Sequence, residues 1–271
     1  MTNTNQSELT RNDDKTFILR LTIKANDVKS TYQHLLEHIA ADIDIHGFRK
    51  GKAPKELVEK HISNEKLLEE TAQKLIPDLY QQKIKEHVLK PIIQPQIKIT
   101  NPPLTIDKDW QIEIISCELP EIKLADYSKE ITVLNVKNIK LSQEEKVNQI
   151  LDLLVKKSSV ILPPILTEAE LNHKLSQLVD QTQQAGITVQ AYLKNQNLTL
   201  DQYKEQLKSQ ITKEWTLNLA LDSIAHSNKL EVTPQNVEEE MKKYSKNNID
   251  PQFLQFILMQ NKTIEYLQSL K

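Results

Sequence analysis

From Gly51 to Gly186 the chain runs without a single glycine, and it holds only three glycines in 271 residues. Glycine is what a backbone uses where φ must be positive or where another surface must approach closely. A span this long without one has no room for a half-β domain with several strands and tight turns. The remaining glycine, Gly47, stands four residues before Gly51 in "HGFRKGKAP" (46–54), around one of the chain's three arginines. A glycine-poor chain that places two glycines together is shaping a loop there, and the loop presents Phe48, Arg49, Lys50 and Lys52.

Hydrophobic periodicity gives the frame on which that loop sits. In "KTFILRLTI" (15–23), Phe17, Leu19 and Leu21 alternate with Ile18, Arg20 and Thr22, a strand with one strongly apolar face. From Asn26 the period changes to that of a helix, with Val28, Tyr32, Leu35, Leu36, Ile39 and Ile43 in one stripe that ends before Gly47. A short helix follows Pro54, and a longer one starts at Ser63 as N-cap. Two more strands are expected in "QPQIKITN" (94–101) and "DWQIEIISCEL" (109–119), which makes residues 15–118 an α+β domain. Residues 119–140 read as an extended linker. From 141 to 271 nearly everything reads as helix. Thr167 with Glu170 and Thr199 with Gln202 are expected capping boxes, Gly186 a helix stop, and Thr233-Pro234 and Asp250-Pro251 helix starts. The polar residues 1–14 read as a disordered tail.

Charge and composition narrow the function classes. With 35 basic against 37 acidic residues the net charge is −2, so any contact with nucleic acid comes from a local patch and not from a global field. The single cysteine, Cys117, excludes an internal disulfide and a cysteine metal cluster. No apolar run approaches the roughly 18 residues of a membrane span, and the N-terminus lacks the apolar core of a signal peptide. A cytoplasmic protein with no membrane partner is the expectation.

Catalytic signatures are missing from the sequence: no HExxH, no GxGxxG and no Walker-type phosphate loop, with the seven histidines scattered over polar stretches. No cofactor and no metal are expected. For the loop, a solvated lysine turn is the plain alternative. Three details argue for a docking element instead. An aromatic side chain at a loop apex serves a partner better than it serves water. Arg49 offers a planar fork suited to phosphate or carboxylate. Paired glycines let the backbone come close.

The loop resembles the ribosome-binding signature of the bacterial trigger factor family, chaperones that meet nascent chains at the tunnel exit. The likeness extends through "IPDLYQQKIKEHVLKPIIQPQI" and "ELPEIKLADYSKEITV" to "VILPPILTEAELNHKLSQL", "GITVQAYLKNQNLTLDQYKEQLKSQI" and "ALDSIAHSNKLEVTPQNVEEEM". It implies an α+β ribosome-binding domain followed by an all-α chaperone domain in an elongated multidomain protein. It also implies docking through Gly47, Phe48, Arg49, Lys50, Gly51, Lys52 and Pro54 onto a tunnel-exit ribosomal protein and rRNA. Unfolded or nascent polypeptides would be the clients, and a homodimer off the ribosome stays open.

Members of the family usually carry a prolyl isomerase domain of the FK506-binding type between these halves. Here residues 128–160 contain neither an aromatic residue nor a glycine, so an aromatic-lined proline pocket has no place there and no enzymatic activity is expected. Off the main helical stripes, Ile187, Val189, Phe253, Phe256 and Met259 are the candidate client contacts. Two readings from other classes stand beside the chaperone: an RNA-binding ribosome-assembly module without clients, and an isomerase with an unrecognised site.

Overall fold

The computed structural model describes residues 7–46, 48–52, 54–137, 141–243 and 250–270. The chain divides into two compact units at Leu119/Pro120.

In the first unit, strands β1 (Ser7–Arg11), β2 (Thr16–Ile23), β3 (Gln96–Ile99) and β4 (Trp110–Cys117) form an antiparallel sheet in the order β1-β2-β4-β3. The alternation of β2 puts Phe17, Leu19, Leu21 and Ile23 on one face, where they are buried with Trp110, Ile112 and Ile114 of β4. Helices α1 (Ala25–Asp42) and α3 (Asn64–Glu86) close this core with Val28, Ile76 and Tyr80. Helix α3 starts, as its sequence predicts, with Ser63 Oγ accepting from the Lys66 amide at 3.2 Å.

The expected tail is partly a strand. Residues 7–11 pair with β2 from Ser7↔Leu21 to Arg11↔Phe17, and Leu9 packs on the core. The "NDDK" that follows is a hairpin turn: the Thr16 amide donates to Asp14 Oδ1 at 2.9 Å, and Lys15 takes φ +69°. Low hydrophobicity hides this strand because what holds it is main-chain pairing with the edge of β2. Residues 1–6 lie outside the described residues.

The second unit contains β5 (Ile122–Leu124), α4 (Ser128–Lys137), α5 (Gln143–Lys157), β6 (Ser158–Val160), α6 (Pro164–Gln184), α7 (Val189–Asn195), α8 (Leu200–Ser227), α9 (Pro234–Lys243) and α10 (Pro251–Ser269). One expectation is corrected here. Residues 119–140 are not an extended linker: β5 pairs with β6, and α4 sinks Ile131 into a core with Ile150, Leu154, Leu221, Ile224 and Leu267. The side-chain amide of Asn135 also donates to the carbonyls of Leu267 and Leu270, at 3.0 and 2.9 Å. The β5/β6 ribbon adds two three-residue strands to the otherwise helical unit. Both features rest on partners far along the chain, which local periodicity does not report.

The 28-residue α8 is the axis of this unit, about 42 Å long at 1.5 Å per residue. Its capping box is the predicted one, Thr199 with Gln202. Near its start Leu207 and Ile211 pack against Leu171 of α6, and near its end Leu221 and Ile224 join the core of α5 and α10. Helix α6 begins one turn earlier than its expected Thr167 cap, because Pro164 occupies N1, where the missing N–H costs nothing. Thr167 instead donates its hydroxyl back to the Pro163 carbonyl at 3.3 Å. Gly186, at φ +69°, stops the helix with its amide on the Gln183 carbonyl.

Candidate functional site

The loop after α1 is held at both ends by a small apolar cluster. Tyr32 and Leu36 of α1, Val58 of α2 (Lys55–His61) and Leu67 of α3 are buried together, and Ile39, Ile43, Ile45 and Ile62 pack around them. Ile43 and Ile45 therefore anchor the chain as it enters the loop, and Val58 anchors it as it leaves. The Tyr32 hydroxyl lies 3.0 Å from Glu59 Oε1 and 2.9 Å from Asn64 Oδ1, tying α1 to both following helices. Burial, with the neighbouring Glu59 carboxylate, pushes this phenol up to about 12, so it stays a neutral hydrogen-bonding group.

Between these anchors the backbone makes two reverse turns: the Phe48 amide donates to the Ile45 carbonyl at 3.0 Å and the Lys52 amide to the Arg49 carbonyl at 2.9 Å. Gly51 has φ +75°, and a Cβ there would lie 2.8 Å from the Ala41 carbonyl oxygen. The glycine is thus required twice, by its conformation and by the last turn of α1 behind it. Phe48 is 41% exposed, Arg49, Lys50 and Lys52 are exposed, and Lys50 Nζ sits 3.4 Å from Asp42 Oδ1. That pair joins two well-solvated groups and holds Lys50 only loosely. Pro54 precedes α2 with φ −59°. Gly47 lies outside the described residues. Among the described residues the loop presents one aromatic ring and three cationic side chains from a buried base.

The candidate contacts of the second unit fall in two places. Phe253, Phe256 and Met259 follow one another at three-residue intervals on α10, with both rings exposed and Met259 half-buried. Phe256 and Met259 border a shallow depression that Asn218, Leu221 and Asp222 of α8 complete. Ile187 and Val189 lie instead at the junction of α6 and α7, which packs on α6 and α8. The structure gathers the α10 trio and leaves this pair apart from it. Ile97 and Ile99, on the edge strand β3, are also exposed, and no local signal in the sequence marks them. Their alternation with Gln96 and Lys98 reads as an ordinary half-buried strand, and only the sheet order shows that nothing flanks it.

Among the described residues no group of three or more His, Cys, Asp or Glu side chains is placed to hold a metal ion, and no helix is long and apolar enough to cross a membrane. Cys117 is buried, and burial pushes its thiol up to about 11.

Residues 5–154 match the family described as bacterial trigger factor protein, and residues 129–270 match the one described as bacterial trigger factor protein C-terminus. The trigger factors of Staphylococcus aureus strains JH9 and Newman are each 28% identical over 149 residues, 53% of this chain. Those matches span 34% of the relatives' own length. A solved structure, described under promiscuous substrate recognition in folding and assembly activities of the trigger factor chaperone, aligns with TM-score 0.69 over 98% of this chain and 100% of that one. At 13% identity it is a likeness of fold. With family matches that together run from residue 5 to residue 270, the chain belongs to the bacterial trigger factor family.

Proposed function

We propose that this protein is a cytoplasmic, ribosome-associated chaperone that shields apolar segments of nascent chains without an enzymatic step. The observation that carries the docking part is the loop, where an exposed Phe48 stands beside Arg49, Lys50 and Lys52 on a backbone that Gly51 pins against α1. An exposed ring on a turn gains by entering an apolar niche of a partner. The cations around it pair with carboxylates of a tunnel-exit protein and with rRNA phosphates. Pro54 leads from the loop into α2.

Client binding falls to the second unit. Phe253, Phe256 and Met259 offer a short apolar stripe on α10, and Ile187 with Val189 offers a second patch. Such surfaces bind by reversible burial of apolar area, which is weak and tolerant of sequence. Within residues 128–160, where the family's isomerase domain would be inserted, the described residues form α4, α5 and β6, which supports a chaperone without prolyl isomerase activity.

Cosedimentation with bacterial ribosomes tests the reading. The wild type is expected to pellet with ribosomes, less so as salt rises because part of the contact is ionic. The combined Phe48→Ala, Arg49→Ala and Lys50→Ala variant is expected to stay in the supernatant with an unchanged unfolding transition. A triple variant that pellets like the wild type overturns the docking role.

A further inference from the structure

The sheet of the first unit ends on β3, whose outer side pairs with no described strand. In the β3–β4 register Ile97 pairs with Ile114 and Ile99 with Ile112. The Thr100 amide donates to the Gln111 carbonyl at 2.9 Å. Hydrogen-bonded and non-hydrogen-bonded pairs alternate along an antiparallel ladder, so Gln96, Lys98 and Thr100 turn their main-chain groups toward β4. Ile97 and Ile99 turn theirs outward, where no described residue takes them up. Two amides and two carbonyls thus stand in line on the open edge.

The side chains on that edge are equally unfinished. Ile97 and Ile99 share the face of Ile112 and Ile114, which are buried, yet they are 49% and 37% exposed. They extend the core surface past the end of its helical cover. On the opposite face one row of residues runs across all four strands: Glu8 opposite Arg20, Arg20 opposite Glu113, Glu113 opposite Lys98. The signs alternate, and Arg20 Nε meets Glu113 Oε2 at 3.1 Å. The row closes on Lys98, which has no carboxylate within ion-pair distance among the described residues. A fifth strand that continued the alternation would place an acid opposite Lys98.

We propose that the free edge of β3 takes an extended segment of unfolded polypeptide as an added strand, and that it selects a triplet of an apolar, an acidic and an apolar residue. The two apolar side chains lie against Ile97 and Ile99, and the acid faces Lys98. For an antiparallel segment, the position opposite Lys98 is a non-hydrogen-bonded pair, where side chains approach most closely. The main chain supplies affinity whatever the client, and the three side chains supply preference. A second copy adding its own β3 about a two-fold axis centred on Lys98 would set lysine against lysine, so charge favours the acidic peptide over self-association. The proposal rests on the chaperone reading, whose substrate class it narrows.

The test uses the full chain and two fluorescent heptapeptides that alternate threonine with valine and differ only in a central Val-Glu-Val or Val-Lys-Val. By fluorescence anisotropy the acidic peptide is expected to bind about tenfold more tightly, and Lys98→Glu is expected to reverse the preference. Ile97→Pro and Ile99→Pro delete an outward amide without touching the ladder to β4, a placement edge strands tolerate. Each is expected to weaken the acidic peptide about tenfold while circular dichroism and the unfolding midpoint stay near the wild-type values. If either variant does not fold, Lys98→Glu alone still decides, since it leaves the backbone intact. Equal affinity for the two peptides, or a preference that Lys98→Glu leaves unchanged, overturns the proposal. So does a dimer in sedimentation that occupies this edge and excludes the peptide. Ribosome cosedimentation run in parallel separates this failure from failure of the chaperone reading, because the docking loop contains no part of β3.

Discussion

Gly51 lies so close behind helix α1 that a methyl group on its Cα would stand 2.8 Å from the carbonyl oxygen of Ala41. The contact couples the shape of the basic loop to the end of the helix that carries it. Gly51→Ala is expected to cost about 1–3 kcal/mol, because alanine resists φ +75° and the helix backbone must give way. Gly186 has a similar φ of +69° but open space around it, so Gly186→Ala is expected to cost only about 1 kcal/mol. Chemical denaturation of the two variants checks the difference. Ribosome cosedimentation is expected to fall for Gly51→Ala alone.

Tyr32 makes the base of the loop sensitive to alkali. Its phenol is raised to about 12 in the folded protein from an ordinary value near 10, so its contribution is fully present below about pH 10 and fades as pH climbs toward 12. Tyr32→Phe deletes the hydroxyl that meets Glu59 and Asn64 and is expected to lower stability by about 1 kcal/mol at neutral pH. In denaturation curves taken at rising pH, the gap between wild type and variant is expected to hold up to about pH 10 and then narrow. A gap that widens in alkali contradicts this assignment.

Ile131, fully buried in α4, tests whether that helix belongs to the second unit. Ile131→Ala is expected to cost about 2–5 kcal/mol, as truncations of close-packed cores do. The loss should appear in the unfolding of residues 120–271, while Trp110, in the core of the first unit, reports an unchanged transition. An Ile131→Ala protein as stable as the wild type would return residues 128–137 to the role of a tether.

Phe253 and Phe256 are exposed, so replacing both by alanine is expected to change stability by less than about 1 kcal/mol. Suppression of aggregation of an unfolded client should nevertheless weaken severalfold in a light-scattering assay. Unaltered suppression would move client binding away from α10, leaving Ile187 and Val189 or the β3 edge to carry it.

Whatever neighbours within a turn or two encode can be read along the chain. The alternation of β2, the stripe of α1, the Ser63 cap and the Thr199 box are satisfied by residues three or four apart, and they stand where the sequence places them. The basic loop was legible for the same reason, since glycine spacing and residue type announce a turn. Other features depend on partners far along the chain. Helix α1 begins at Ala25 although Lys24 offers no side-chain cap, because Asp109, at the head of β4, accepts from the Ala25 amide and from Lys24 Nζ, both at 2.9 Å. Those bonds hold the Asp109 carboxyl below the usual aspartate range, so this support is present at neutral pH and is lost as acid protonates it. Strand β1 exists because β2 offers an edge, and α4 because Ile131 finds a core built by residues up to 136 positions further on. A pattern within one segment reports which of its faces is apolar. Which face is covered, and which is left open as at Ile97 and Ile99, depends on chain that arrives from elsewhere.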